Sequence, residues 1–159
     1  MSLDYFEDIK LHQIYRSREY LLTEKDIIDF ARQWDPYPAH TDPEAAKNTH
    51  FGGLFASAAH LLAIWYKLAS EEDFNGAWIA GLGWDETNFL AHAQPGDVLV
   101  LEKEVTWKRE SKSNPNAGVI HYSVKLLNQR GETVLTSGAP VLFQKRPSND
   151  TSSSKSKRR

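Results

Sequence analysis

The chain has 159 residues, of which 40% are hydrophobic and 25% are charged, and its formal net charge at pH 7 is −2. This length predicts one domain with a sizeable core, and the small net charge gives no field that would attract nucleic acid or an anionic membrane. The absence of cysteine excludes disulfides, thiolate metal sites and cysteine nucleophiles. No apolar segment approaches the ~20 residues of a membrane span, and residues 1–10 lack the apolar stretch of a secretory signal. We therefore expect a cytoplasmic protein with neither a nucleic-acid nor a membrane partner.

The first helix is predicted from a capping residue and a periodic apolar pattern. Thr23 is a good N-cap, and apolar residues recur at helical spacing as far as Trp34. The helix should therefore end near Trp34 and carry Asp35 at its C-terminal end. A second, short helix should follow through residues 43–47, with its N-cap at either Thr41 or Asp42.

The segment between these helices, residues 35–40, reads Asp-Pro-Tyr-Pro-Ala-His. Its two prolines fix φ and remove two backbone donors, and each disfavours helical geometry in the residue before it. The segment should therefore be a stiff, extended turn. Asp35 and His40 on such a fixed backbone are a candidate acid/base pair, because proton transfer needs both groups within reach of one reacting atom. The alternative is structural, with Asp35 as a turn former and His40 as a capping partner of the second helix.

A long helix is predicted in residues 54–66, which contain no charged side chain and follow Phe51-Gly52-Gly53. Alanine and leucine dominate this run and favour helix. Because it is apolar on nearly every face, the helix should be enclosed on all sides, and Lys67 ends the uncharged run. We expect His60 to be a core histidine with its hydrogen bonds satisfied.

The second half of the chain predicts an antiparallel sheet. Segments rich in β-branched and aromatic residues are separated by turn signals, and short connections imply antiparallel pairing. The fold class is therefore α+β, with a long antiparallel sheet curled around one central helix. The domain should cover residues 1–146, and the Ser-rich basic tail 147–159 should be disordered. The predicted strands are residues 13–22, 77–90, 98–110, 119–127 and 133–145.

A set of residues and segments recurs in a specific order along the chain: Asp35, Tyr37-Pro38, His40, Ala46, and the segments 51–58, 94–97, 111–115 and 128–132. This ordered set resembles the MaoC-like dehydratases, also known as (R)-specific enoyl-CoA hydratases, which have the hot-dog fold. The likeness covers residues 5–146 and departs from the family at Tyr37, where the family has Asn, and at Ala58, where it often has Gly.

The resemblance implies a reversible addition of water to a trans-2-enoyl thioester, most simply a coenzyme A ester, without a cofactor or a metal ion. It assigns catalysis to Asp35 and His40 and an oxyanion-binding backbone N–H to Ala58. It also implies a homodimer with an active site at each subunit boundary. The substrate-binding residues that it implies are Tyr37, Phe51, Gly52, Gly53 and Ser57.

Two alternatives stay open: a hot-dog acyl-CoA thioesterase, and a non-catalytic acyl-thioester-binding subunit. Hot-dog thioesterases commonly carry an acid on or near the central helix, and residues 51–66 contain none. The departures at Tyr37 and Ala58 are the features that keep the binding subunit open as an alternative. Trp84 and Phe89 are candidates for the wall of an acyl pocket.

Overall fold

The computed structural model of this chain describes residues 3–71 and 75–148. Within these residues the helices are α1 (Glu24–Trp34), α2 (Pro38–Thr41), α3 (Pro43–Ala46) and α4 (Ala58–Glu71). The strands are β1 (Ile14–Arg16), β2 (Tyr20–Leu21), β3 (Trp78–Gly81), β4 (Asp85–Phe89), β5 (Val98–Glu110), β6 (Ala117–Leu127) and β7 (Thr133–Gln144).

The seven strands form one antiparallel sheet in the order β1-β5-β6-β7-β3. β2 also pairs with β5, and β4 also pairs with β7. The prediction of three long strands at 98–110, 119–127 and 133–145 is confirmed to within two residues. The prediction of one strand each at 13–22 and 77–90 is wrong. Each segment forms two separate short strands, and both strands of a segment pair with the same neighbouring strand.

The predicted arrangement of a sheet around one helix is confirmed. The apolar face of α4 places Leu61, Ile64 and Leu68 in a single core with alternate residues of β5, β6 and β7. These alternate residues project from one face of the sheet, as the two-residue period of a strand requires. The core residues of β5 and β6 are Leu99, Leu101, Val105, Ile120, Tyr122, Val124 and Leu126.

The start, end and environment of α4 differ from the prediction. Residues 54–57 are not helical, and Ala56 N–H donates to the carbonyl of Ala93 at 2.8 Å. The helix continues past Lys67 to Glu71, and these two side chains form an i,i+4 ion pair at 2.8 Å. It is also not enclosed on all sides, because one apolar face is exposed along its length. Small residues such as alanine are compatible with burial or exposure, so composition alone did not decide between them.

The first helix is confirmed, since α1 ends at Trp34 and Thr23 Oγ1 accepts the Asp26 N–H at 3.1 Å. The extended turn at 35–40 is only half right, because α2 begins at Pro38. A proline at the first helical position loses no intrahelical hydrogen bond, so only residues 35–37 stay outside the helices. Of the two N-cap candidates for α3, the structure selects Asp42.

The predicted tail, residues 147–159, lies almost entirely outside the described residues. Within the described part of the chain, no helix is long and apolar enough to cross a bilayer.

Candidate active site

Asp35 lies where α1 ends, as the sequence predicts. Its backbone N–H donates to the carbonyl of Ala31, and its own carbonyl accepts the N–H of Tyr37, both at 2.9 Å. The side chain is half-buried. Within residues 3–71 and 75–148, no hydrogen bond or ion pair engages its carboxylate. The backbone is therefore fixed while the carboxylate keeps its full capacity to accept a proton or a hydrogen bond.

His40 is the buried member of the predicted pair, with 9% of its surface exposed. Its Nδ1 lies 2.7 Å from the carbonyl oxygen of Phe55, and its ring packs edge-on against the Phe55 ring at 4.7 Å between centroids. A carbonyl oxygen can only accept, so Nδ1 must carry the hydrogen. In the neutral imidazole Nε2 is then the nitrogen that accepts a proton. The structure thus fixes both the orientation and the tautomer of His40.

The N-terminus of α4 presents unbonded backbone donors. Ser57 caps the helix, because its Oγ accepts the N–H of His60 and its carbonyl accepts the N–H of Leu61, each at 3.1 Å. Ala58 and Ala59 are the first two helical residues, and both are exposed. In the part of the chain that the structure describes, no acceptor engages either of their N–H groups. Two free donors at the positive end of the helix dipole favour a developing negative charge.

Ser57 itself is buried. Its side chain caps the helix, and the substrate-binding role that the resemblance implies for Ser57 stays a prediction.

The segment before α4 forms an aromatic border at this end of the helix. Phe51 is exposed, and its ring lies 4.7 Å from the rings of both Phe55 and His92. Gly52 has a positive φ of 69°, which favours glycine, and a side chain added at Gly52 or Gly53 would meet no atom within 4 Å. The backbone at both glycines is therefore open to an approaching molecule. No feature of the sequence predicted His92 at this position.

Comparison with known proteins decides the family. The model of the "MaoC like domain" matches residues 10–126 of this chain. The chain belongs to the MaoC-like family. A curated relative, the uncharacterized protein YdeM of Bacillus subtilis, is 30% identical over 146 residues, which are 91% of this chain and 100% of that protein.

Solved structures agree with this assignment. The MaoC-like dehydratase from Rhodospirillum rubrum is 35% identical, with a TM-score of 0.84 over 90% of this chain and 98% of that chain. The (R)-hydratase from A. caviae, at 24% identity and a TM-score of 0.70, shares the fold over 89% of this chain and 99% of that one. A double hot-dog protein from Mycobacterium tuberculosis, at 15% identity, matches 92% of this chain and 46% of its own, with a TM-score of 0.75. This MaoC-like domain thus has the hot-dog fold.

Tyr37, one of the two departures from the family motif, points its bulk outward. It is 69% exposed, and its carbonyl accepts the N–H of His40 at 2.9 Å and the hydroxyl of Thr41 at 3.2 Å. The backbone of Tyr37 therefore helps to hold His40, whereas its ring makes no ring contact with His40 or Phe55. The larger side chain is accommodated without displacing the buried histidine.

An apolar cavity of the MaoC-like domain lies at the other end of α4. It has a volume of about 390 Å³ and is enclosed by the C-terminal half of α4, β3 and the inner face of β5–β7. Trp84 supports its wall, because its Nε1–H donates to the Tyr66 hydroxyl at 2.9 Å; Phe89 is not among the lining residues. The large side chains of the wall are Trp65, Tyr66, Trp78, Lys103, Tyr122, Val141 and Phe143.

His60 is buried as predicted, but its hydrogen bonds are not all satisfied. Its ring stacks on Phe30 at 4.4 Å, and within the described residues its Nδ1 has no hydrogen-bond partner. Burial lowers the pKa of His60 from its ordinary 6.5; the carboxylate of Asp26 opposes this shift and the charge of His40 adds to it. A neutral His60 places no positive charge next to the candidate site.

Two features of the site went unnoticed in the sequence. The carbonyl of Phe55 orients His40, and a backbone acceptor leaves no signal in a single sequence. Lys103 enters the cavity wall, and here a signal exists, because it interrupts the alternating apolar residues of β5.

Proposed function

We propose that this MaoC-like domain adds water reversibly to trans-2-enoyl thioesters of coenzyme A to give 3-hydroxyacyl thioesters. The observation that carries the proposal is the tautomer of His40. The Nδ1–H bond to Phe55 leaves Nε2 as a proton acceptor, on a short connection that also carries the unengaged carboxylate of Asp35. In our proposal the two groups share one water molecule, as a general acid/base pair requires.

In the proposed reaction, the oxygen and both hydrogens of the water molecule end in the product. The water oxygen bonds to C3 while one of its protons passes to the Asp35–His40 pair. The electrons of the C2–C3 double bond move toward the thioester oxygen, and a proton from the pair then bonds to C2. We assign the two proton transfers to the pair as a unit, because coupled groups titrate together.

The free N–H groups of α4 supply the hydrogen-bond donor that the thioester oxygen needs. As the thioester oxygen gains enolate charge, a fixed donor aimed at it stabilises the transition state more than the ground state. We assign this role to the N–H of Ala58, which is exposed, helical and not bonded within the described residues. In our proposal the thioester approaches past Gly52 and Gly53, where an added side chain would meet no atom within 4 Å.

The apolar cavity is our candidate for the acyl chain. An exposed face of α4 runs from the N-terminus to the cavity through Ala59, Ala63 and Tyr66, spaced i, i+4 and i+7. An acyl chain whose thioester lies at Ala58 could follow this face into the cavity. Burial of apolar surface there would contribute ~25 cal/mol per Å².

We further propose that the working unit is a homodimer. β3 ends the strand order of the sheet, and the segment from β3 to the end of β4 exposes the large apolar side chains of Ile79, Leu82 and Phe89. Several large apolar side chains exposed on one segment favour a protein–protein contact, and closed symmetric pairs are the commonest solution for soluble oligomers.

The position of the acidic residue on the central helix argues against the thioesterase alternative. The acidic residue of α4 is Glu71 at its far end, where it is bonded to Arg18 and Lys67. It lies roughly 20 Å along the helix from Ala58 at 1.5 Å per residue. No helix acid is therefore placed to activate water at the proposed thioester position.

The test is a parallel assay with crotonyl-CoA. Loss of the enoyl absorbance without release of free thiol supports the proposal. Thiol release would instead identify a thioesterase. Binding of the thioester with neither signal would identify a non-catalytic binding subunit, and either result overturns the proposal.

A further inference from the structure

The apolar cavity at the far end of α4 is too large to be a packing defect. Its volume is about 390 Å³, whereas protein interiors are closely packed and rarely contain voids larger than a water molecule. Empty apolar space lowers stability, and the volume falls in the range of ~300–1,000 Å³ that small-molecule sites occupy. A cavity that the fold keeps open in spite of this cost is a candidate binding site.

Aromatic rings from α4 and from the β3–β4 segment border this cavity. Tyr66, Trp78 and Trp84 are each more than half exposed. The Tyr66 ring stacks on Trp65 at 5.4 Å between centroids, and its hydroxyl accepts the Trp84 N–H at 2.9 Å. The rings are therefore held in place by one another while they still face solvent. A ligand that covers them removes apolar surface from water, which favours its binding.

The cavity wall suits a ligand end that has no charge. Lys103, a charged residue of the wall, has its ammonium 5.1 Å from the ring centroid of Tyr15 and 5.4 Å from that of Tyr122. Aromatic faces attract a cation at these distances, so the protein itself engages this charge. Ala69, Val141 and the aromatic rings supply apolar contacts for the ligand.

The distance from the proposed thioester position determines which acyl chains reach the cavity. Tyr66 lies eight residues after Ala58 and Ala69 lies eleven residues after it, which is about 12 Å and about 16 Å along the helix axis. An extended chain advances roughly 1.2 Å per bond, since the three backbone bonds of a residue span at most ~3.3–3.6 Å. A chain whose thioester lies at Ala58 therefore reaches Tyr66 after about ten bonds and Ala69 after about fourteen.

We propose that this domain acts on long-chain trans-2-enoyl thioesters, with acyl chains of about ten carbons or more, and that the cavity binds the apolar far end of the chain. The inference rests on the proposed function for the position of the thioester. A short chain such as crotonyl also places its thioester at Ala58, but it ends before Tyr66 and makes no contact with the cavity. Binding energy from such a remote part of the substrate raises kcat/KM.

The first experiment measures kcat/KM for unbranched trans-2-enoyl-CoA esters, from crotonyl-CoA to chains of about sixteen carbons, a length that passes Ala69. Each ester is used below the concentration at which it forms micelles. We expect a rise that begins near ten carbons and reaches at most about fourfold per added methylene, the effect of burying one CH₂ group. A kcat/KM that falls or stays level beyond about ten carbons would overturn the proposal.

Variants of Ala69 test whether the cavity causes this rise. Ala69→Phe adds a ring to the cavity wall, and Ala69→Leu is a smaller change in case phenylalanine impairs folding. The readout is the ratio of kcat/KM for the longest ester to that for crotonyl-CoA. We expect Ala69→Phe to lower this ratio about tenfold or more, which corresponds to the loss of two buried methylene groups, and Ala69→Leu to lower it less.

Lys67→Phe is the matched control, because it adds the same ring at an exposed position of α4 that does not line the cavity. Its ratio should equal that of the wild type. A wild-type ratio in both Ala69 variants, or an equal fall in Ala69→Phe and Lys67→Phe, would overturn the proposal. Light scattering tests whether a second copy fills the cavity instead: an Ala69→Phe protein that changes from dimer to monomer with an unchanged ratio would also overturn it.

Binding of saturated acyl-CoA esters, measured by calorimetry, separates this proposal from the proposed function. If no enoyl ester is hydrated but affinity rises beyond about ten carbons in the wild type and not in Ala69→Phe, the hydratase proposal fails and the binding of long chains stands. If hydration occurs and affinity does not depend on chain length, the preference for long chains fails alone.

Discussion

Replacement of Ala58 by proline removes one backbone N–H and leaves the helix intact. Ala58 is the first residue of α4, where a proline is well tolerated because that N–H has no intrahelical partner. Ser57, which precedes it, caps the helix, and an N-cap residue has the extended backbone that a following proline requires. Ala58→Pro should therefore fold like the wild type while it lacks the proposed oxyanion donor.

The expected loss follows from the role of that donor. Deletion of one oxyanion-hole hydrogen bond typically lowers kcat by ~10²–10³, which corresponds to about 2.7–4 kcal/mol of transition-state stabilisation. The free N–H of Ala59 remains one position further on, so we expect the lower end of this range. The effect should fall mainly on kcat, because the enolate charge develops only in the transition state.

Two variants at the same position control for shape. Ala58→Val adds bulk comparable to proline but keeps the N–H, and Ala58→Gly keeps the N–H and removes the methyl group. Steady-state hydration of crotonyl-CoA should be much slower for Ala58→Pro than for either control, with similar thermal unfolding of all three. If Ala58→Pro is as fast as Ala58→Val, the backbone of Ala58 does not bind the oxyanion.

Three further predictions concern the remaining groups of the site. Asp35→Asn and His40→Gln should each lower the hydration rate by ~10²–10⁴, and a normal rate in either variant would remove that residue from the mechanism. The urea unfolding midpoint should change only for His40→Gln, because His40 is hydrogen-bonded to a carbonyl and the Asp35 carboxylate is not bonded within the described residues. Ser57→Ala should destabilise the domain by ~1 kcal/mol through loss of a helix cap, and an unchanged unfolding midpoint would refute the capping role. Burial lowers the pKa of His60 from 6.5. As the pH falls through 6.5 the unfolded chain therefore binds a proton at this position before the folded chain does, and the free energy of unfolding decreases. This decrease should be smaller in His60→Phe, and an identical dependence of unfolding on pH in both proteins would contradict the buried, neutral state of His60.

The sheet and the position of Asp35 were predictable because each has a strong local cause. Apolar residues alternate along β5, β6 and β7, and turn residues separate these strands, so their bounds are confirmed almost to the residue. Thr23 and the apolar period of α1 likewise fix where Asp35 lies. The break in the predicted strand 77–90 was missed because its apolar residues continue through Leu82 and Trp84, while pairing with β7 shifts register.

What could not be predicted depends on contacts between distant segments. The carbonyl of Phe55 meets His40 because α2 packs against the segment before α4, and no side-chain pattern records a backbone acceptor. The exposed face of α4 could also not be predicted, since an alanine-rich helix is compatible with either burial or exposure to solvent. Lys103 was visible as an exception among apolar residues, but only the sheet shows that it faces a cavity.

The central claim is that this domain adds water to C3 of an enoyl thioester and leaves the thioester bond intact. The most direct measurement is mass spectrometry of the products formed from crotonyl-CoA in water enriched in heavy oxygen. Our account predicts one heavy oxygen in the hydroxyl group of an intact 3-hydroxyacyl-CoA. Heavy oxygen in the carboxylate of a released acid, or unlabelled crotonyl-CoA alone, would contradict it.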